Sequence, residues 1–173
     1  MGMHRLFVLR HAKSSWNNAH QADFDRPLAP RGEKAAEALA EHIGGWDEAP
    51  ALVLCSTARR AQDTLEPVRA RLPRSTEVRL EDELYGASAP ELLARLQVVA
   101  DEVPSVMVVG HNPGLEDLVR GLGPHGDAGV IARVHAKFPT AALATLAFDG
   151  SWQQLGSGGS VRLESFVVPG DLE

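Results

Sequence analysis

The chain contains a single cysteine, Cys55, so no internal disulfide can form and metal ligation by cysteine pairs is excluded. No apolar run approaches the ~20 residues of a membrane-spanning helix, and no membrane association is expected. The N-terminus lacks the succession of basic, apolar and small residues that marks a signal peptide, so the expectation is a cytoplasmic protein. Positive charge is in short supply: the formal net charge is −6, whereas a nucleic-acid surface needs clustered Lys and Arg, so nucleic acid is not an expected partner. His4, His20, His42, His125 and His135 fall at no zinc-binding spacing such as His-Glu-x-x-His, and no metal is expected. The glycines near Gly156 lack the Lys-Ser/Thr of a P-loop and read as a turn. There is no internal repeat, and the Gly/Ser stretch is too short for a domain linker.

A chain of 173 residues fits one domain, 1–173, long enough to bury about two thirds of its unfolded surface. Apolar runs alternate with helical patterns over its first two thirds, the signature of βαβ units on a mostly parallel sheet. The pattern predicts strands over 4–9, 51–54, 76–80 and 106–109. It predicts helices over 31–43, over 58–72 before Pro73, from Pro90 with the stripe Leu92, Leu93, Leu96 and Val99, and from Pro113 to Val119. After Gly121 the pattern weakens, and the runs 140–148 and 161–168 read as a closing β-ribbon. Cys55 continues a strand-like run and reads as a buried core thiol.

Arg10-His11 stands where the apolar run Leu6-Phe7-Val8-Leu9 ends, and the C-terminal end of a parallel strand is where open α/β sheets place their ligand crevices. Two further segments follow strand-like runs: STARRAQDT at 56–64 and GHNP at 110–113. Together they supply two arginines and two histidines after three separate strands. A neutral imidazole can attack phosphorus in line and form a phosphohistidine that water later hydrolyses, with arginine forks on the phosphoryl oxygens and a second histidine donating a hydrogen bond. Arg10, Lys13, Arg59 and Arg60 would form a positive pocket in an acidic protein if the strand ends are neighbours; solvated surface charge is the other reading for Lys13 and Arg59.

These segments resemble the motifs of the histidine phosphatase superfamily, the phosphoglycerate-mutase-like proteins. The family's Arg-His-Gly reads here Arg10-His11-Ala12, and its Ser-Pro-x-x-Arg-Ala-x-Gln-Thr reads Ser56-Thr57-Ala58-Arg59-Arg60-Ala61-Gln62-Asp63-Thr64. LRHAKSSW at 9–16 and DFDRPLAPRG at 23–32 are similar to the small phosphohistidine phosphatases of the SixA type. The resemblance spans the chain from the first strand to at least Gly114. It implies a three-layer α/β/α sandwich with a mostly parallel sheet, a covalent intermediate on His11, and phosphate contacts from Arg10, Arg60 and His111. It also implies that the loop carrying Ser14, Asn17 and Arg26 borders the substrate pocket, although a solvated loop is the other reading. No cofactor is implied. Ala12 stands where the family has glycine, and its methyl group is tolerated only if φ stays negative.

His111 has a structural alternative, since a His before Asn-Pro also caps loops. The proton donor is the most open question. Many superfamily members place a Glu or Asp after the third strand, where Glu83 stands here, either as that acid or as a surface carboxylate beside Glu81 and Asp82. SixA-type enzymes work without one, which suits a phosphoramidate: its leaving nitrogen can be protonated before expulsion, whereas an alkyl phosphoester needs a positioned acid. The expected function is hydrolysis of phosphohistidine on a protein. The alternatives are an acid-dependent phosphatase of small phosphoesters with Glu83 as donor, or a phosphate-binding module without turnover. The expected partner is a phosphorylated protein or small phosphorylated molecule, and the chain is expected to be a monomer or weak dimer.

Overall fold

β1 (Met3–Arg10) turns Leu6 and Val8 to one face of a sheet and Phe7 and Leu9 to the other, and all four are buried. A strand apolar on both faces requires cover on both. In the computed structural model, which describes residues 3–173, that cover is helical. β2 (Leu52–Ser56), β3 (Glu77–Glu81), β4 (Ser105–Gly110), β5 (His125–Gly126), β6 (Leu143–Asp149) and β7 (Val161–Val167) complete a seven-stranded sheet of order β3-β2-β4-β1-β6-β7-β5. Only β6 runs against the others, pairing antiparallel with β1 and β7. α1 (Pro30–Gly44) and α2 (Arg59–Arg69) bury Ala36, Leu39, Ile43, Leu65 and Val68 against Phe7, Leu9, Val53 and Met107. α3 (Ala89–Gln97), α4 (Gly114–Gly121) and α5 (Ala128–Ala136) cover the opposite face, where Leu92, Leu96, Leu115 and Val134 meet Leu6, Val8, Leu54 and Val108. The result is the expected α/β/α sandwich. Among the described residues no helix is long and apolar enough to cross a membrane.

Two elements depart from the sequence reading. The stretch after Gly121, which showed no clear pattern, contains the short strand β5 and helix α5. Asp127 caps α5 by accepting from the Val130 N–H. Only Val134 of that helix is fully buried, which leaves little apolar periodicity to read. The strand expected over 140–148 begins instead at Leu143. Thr140 to Ala142 form a turn in which Ala141, at φ 63°, donates its N–H to the carbonyls of both Arg10 and His11. An alanine in the left-handed region costs about 1 kcal/mol, and here it fixes the chain end of β1.

Register decides where the motifs meet. β1 and β4 are parallel with Arg10 opposite Gly110, so His11 and His111 leave the sheet side by side. β2 pairs with β4 through Cys55 and Val109, which brings Ser56 and the start of α2 to the same edge. Gly32 lets α1 lie directly on the loop after His11, where a Cβ would overlap the Lys13 carbonyl oxygen.

Candidate active site

His11 is buried at 7% exposure, and its Nδ1 lies 2.7 Å from the Ala12 carbonyl oxygen. A carbonyl only accepts, so Nδ1 carries the proton and Nε2 keeps its lone pair. Burial is the main reason the ring resists protonation, its pKa being lowered to about 3; the nearby His111, Arg60 and Arg10 add to this, against the bond to Ala12. Ala12 is fully buried and is not among the residues at positive φ, so the expected difficulty with its methyl does not arise. Its N–H donates to Thr64 Oγ1 at 2.9 Å, and the Thr64 hydroxyl donates to the Arg60 carbonyl at 2.7 Å. The last residue of the second motif thus ties α2 to the loop after His11.

The ring centroids of His11 and His111 are 5.2 Å apart. His111 Nε2 meets Ser56 Oγ at 2.8 Å, and its pKa is lowered to about 4, chiefly by burial and then by Arg60. Arg10 is held by one bond, from Nη1 to the Phe138 carbonyl at 3.0 Å; Asn112 Nδ2 donates to the same oxygen at 2.9 Å. Arg60, in the first turn of α2, donates from Nη1 to the Asp23 carbonyl at 2.8 Å and from Nη2 to Asp23 Oδ2 at 3.1 Å. Three polar atoms of this cluster, Arg10 Nε, Arg60 Nε and His111 Nδ1, are buried without a partner in the protein. Buried polar groups are paired in the great majority of proteins. Orphans on three neighbouring side chains define a receptor for an anion.

Arg26 is 6% exposed and donates to Ser14 Oγ at 2.6 Å and to Asp23 Oδ1 at 3.1 Å, with its guanidinium stacked 3.5 Å above the Trp16 ring. Ser14 and Arg26 therefore join the cluster through Asp23. Asn17 is exposed, and none of its side-chain atoms bonds to the others. Arg59 and Lys13 also lie outside. Arg59 pairs with Asp63 at 3.5 Å on the surface of α2, because adjacent helical residues face about 100° apart and Arg60 takes the inward position. Lys13 lines a neighbouring groove with Arg31 and Lys34. Glu83 is not brought into the cluster: it is exposed on a short 3-10 turn, makes no hydrogen bond, and its charge bears on Arg95.

The position facing the histidines from that turn belongs to Tyr85, whose ring lies 5.6 Å from that of His111. Its hydroxyl donates to Asp23 Oδ2 at 2.6 Å. That bond, then Arg60 and Arg26, holds the Asp23 carboxyl at about 2. The sequence reading singled out neither Asp23 nor Tyr85. Asp23 lies inside the segment DFDRPLAPRG, but nothing in that segment signals a partner 62 residues away. Cys55, fully buried with its pKa raised to about 12 by burial, is an inert core thiol. Among the described residues no group of three or more His, Cys, Asp or Glu side chains could hold a metal ion.

The chain is similar to known proteins in sequence and in fold. Residues 6–112 match the histidine phosphatase superfamily (branch 1). A protein of Mycobacterium leprae is 39% identical over 171 residues, covering 93% of this chain and 99% of its own. The phosphohistidine phosphatase SixA of Escherichia coli is 31% identical over 150 residues, covering 85% of this chain and 87% of its own. The structure of a SixA protein from Nakamurella multipartitia superposes with a TM-score of 0.83 at 31% identity, covering 98% of both chains. With its motifs following β1, β2 and β4 at one edge of the sheet and a matching fold over nearly its whole length, the chain belongs to the histidine phosphatase superfamily, as a SixA-type member.

Proposed function

We propose that the protein removes phosphate from phosphohistidine on a protein through a covalent intermediate on His11. The observation that carries this reading is the set of orphaned donors on Arg10, Arg60 and His111 beside a neutral histidine whose Nε2 is free. In the first step the Nε2 lone pair of His11 forms a bond to phosphorus as the substrate's P–N bond breaks. The buried Nε–H groups of Arg10 and Arg60 hold phosphoryl oxygens while that transfer proceeds. When the Ser56 hydroxyl donates to His111 Nε2, the proton of His111 sits on Nδ1 and serves as a third donor. In the second step the water oxygen bonds to phosphorus as the P–N bond breaks, the bond electrons return to His11 Nε2, and hydrogen phosphate leaves with one proton released to solvent. Throughout, the Ala12 carbonyl keeps the Nδ1 proton in place, and it stabilises the cationic ring of the phosphohistidine.

Several features favour a nitrogen leaving group over an alkoxide. Glu83 stands exposed and apart from the donors, and Asp23, the carboxylate bonded to Arg60, is held ionised and has no proton to give. The SixA relative, whose name identifies it as a phosphohistidine phosphatase, is similar over most of this chain. A phosphorylated protein is accordingly the proposed partner.

The test is turnover of a phosphohistidine protein beside a panel of small phosphoesters by wild type, His11→Ala and Glu83→Gln. The account expects phosphohistidine to be the preferred substrate, His11→Ala to be inactive, and Glu83→Gln to match wild type. Preference for phosphoesters with a crippled Glu83→Gln would make the protein an acid-dependent phosphatase. No turnover of any substrate would make it a binding module.

A further inference from the structure

We propose that Asp23 determines specificity by accepting the N–H of a protonated nitrogen leaving group, so that the pocket favours phosphoramidates such as phosphohistidine over phosphoesters. This inference rests on the function proposed above and adds the residue that reads the leaving side. A carboxylate beside a phosphoryl-binding cluster is costly, because it repels the anionic substrate. Anchoring Arg60 does not require it. Arg10 is held by a backbone carbonyl alone, that of Phe138, and Arg60 already has the equivalent bond in the Asp23 backbone carbonyl at 2.8 Å. The Asp23 carboxylate also pairs with the buried Arg26, and these pairs do not exhaust its capacity to accept.

Its placement suits the leaving group. The side chain is 49% exposed, and Oδ1 accepts only from Arg26, which leaves lone-pair capacity open to solvent. Tyr85 and Arg60 hold the other oxygen, so the carboxylate cannot swing away. His11 is buried, whereas the half-exposed Asp23 side chain is bonded to Arg60 and to Tyr85, whose ring stands against His111. Asp23 thus lies at the open rim of the cluster, toward which in-line attack from a buried His11 would expel its leaving group.

The chemistry makes the two sides of the reaction equivalent. An N-phosphorylated imidazole with a proton on its other nitrogen is a cation. When the P–N bond breaks, its electron pair stays on the departing nitrogen, and the ring leaves neutral with its distal N–H intact. No proton moves. On the other side, His11 becomes the phosphorylated cationic ring, its Nδ1–H still on the Ala12 carbonyl. An acceptor for the distal N–H of the leaving ring is the counterpart of Ala12, and a carboxylate in that place also favours the protonated, cleavable form of the substrate. A departing alkoxide offers no such donor and would develop negative charge against Asp23.

The decisive variant is Asp23→Asn, which keeps the backbone anchor of Arg60 and removes the charge. Turnover of a phosphohistidine protein, of phosphoramidate and of p-nitrophenyl phosphate would be compared with wild type across pH. Expected is a fall of about 10-fold or more in kcat for both nitrogen substrates, equivalent to at least ~1.4 kcal/mol. Turnover of p-nitrophenyl phosphate is expected to fall less, so that the ratio of nitrogen-substrate to ester turnover drops by about 3-fold or more, and circular dichroism reports that the variant is folded. The alkaline limb of kcat for phosphohistidine is expected to move to lower pH, because the leaving ring loses the charge that kept it protonated in the complex. Equal losses on all three substrates, or an unmoved alkaline limb, would reduce Asp23 to a support for Arg60 and overturn the inference. A wild type inactive on phosphohistidine would overturn the proposed function itself, a result visible without the variant.

Discussion

Two backbone oxygens set the chemistry of individual residues here: the carbonyl of Ala12 fixes the tautomer of His11, and that of Phe138 fixes the fork of Arg10. Arg10, His11, Arg60 and His111 were legible as neighbours because each stands in a motif that follows a strand. Asp23 and Tyr85 were not, because they meet only in three dimensions, from two loops far apart in the chain. Arg59 follows the other reading given for it, surface charge, because of the rotation between adjacent positions on a helix, and Lys13 lies exposed in the loop after His11. A prediction follows from the burial of the two histidines. Nitrogen-edited NMR is expected to show His11 as the neutral Nδ1–H tautomer from about pH 8 to about pH 5, with His111 also neutral over that range. A ring of His11 that titrates near its ordinary value of 6.5 would contradict its burial as a neutral ring.

At the level of elements, the site is a junction of β1, β2, β4 and the first turn of α2, and short polar links keep these in register. Thr64 is the most instructive, since its hydroxyl accepts from the nucleophile loop and donates to the carbonyl of Arg60. Thr64→Val keeps the shape and removes both bonds, leaving the buried N–H of Ala12 unpaired. The expected cost is about 1–3 kcal/mol of stability, with a fall in kcat as His11 and Arg60 lose their shared tether. Chemical denaturation and single-turnover kinetics check the two effects, and a Thr64→Val enzyme with wild-type stability and rate would show the link to be idle. Helices with strong apolar periodicity, α1 and α3 among them, were legible to within a few residues. α5 was not, because a helix that buries one residue fully leaves no stripe, and the one available signal, Asp127 three residues before Val130, was not weighed. The turn at Ala141 was hidden for a different reason: a left-handed alanine carries no compositional mark, unlike a glycine.

For the whole molecule, the alternation of strands and helices was enough to give the sandwich, and parallel pairing of β1, β2 and β4 then brought the motifs together. The net charge of −6 speaks about the surface at large, while the cluster itself is cationic, so the protein presents a local receptor for anions within an acidic envelope. Burial of neutral histidines in that receptor links folding to pH. His11 and His111 have folded-state pKa values near 3 and 4 against 6.5 unfolded, so below 6.5 the unfolded chain binds more protons than the folded one. Their contribution to stability is full above about pH 6.5 and is lost as pH falls toward 4 and then 3. The melting temperature is expected to be lower at about pH 4.5 than at about pH 7.5, and that difference is expected to shrink when both histidines are replaced by asparagine. An undiminished pH slope in the double variant would place the titrating groups elsewhere.

The measurement that bears most directly on the account is rapid quenching of the wild-type enzyme during turnover of a phosphohistidine protein, followed by mass-spectrometric mapping of any phosphoryl group left on the enzyme. The account predicts an acid-labile, base-stable phosphoryl group on His11 that forms and decays at rates compatible with turnover, absent from His11→Ala. A label on another residue, or full turnover by His11→Ala with no phosphoenzyme, would contradict it.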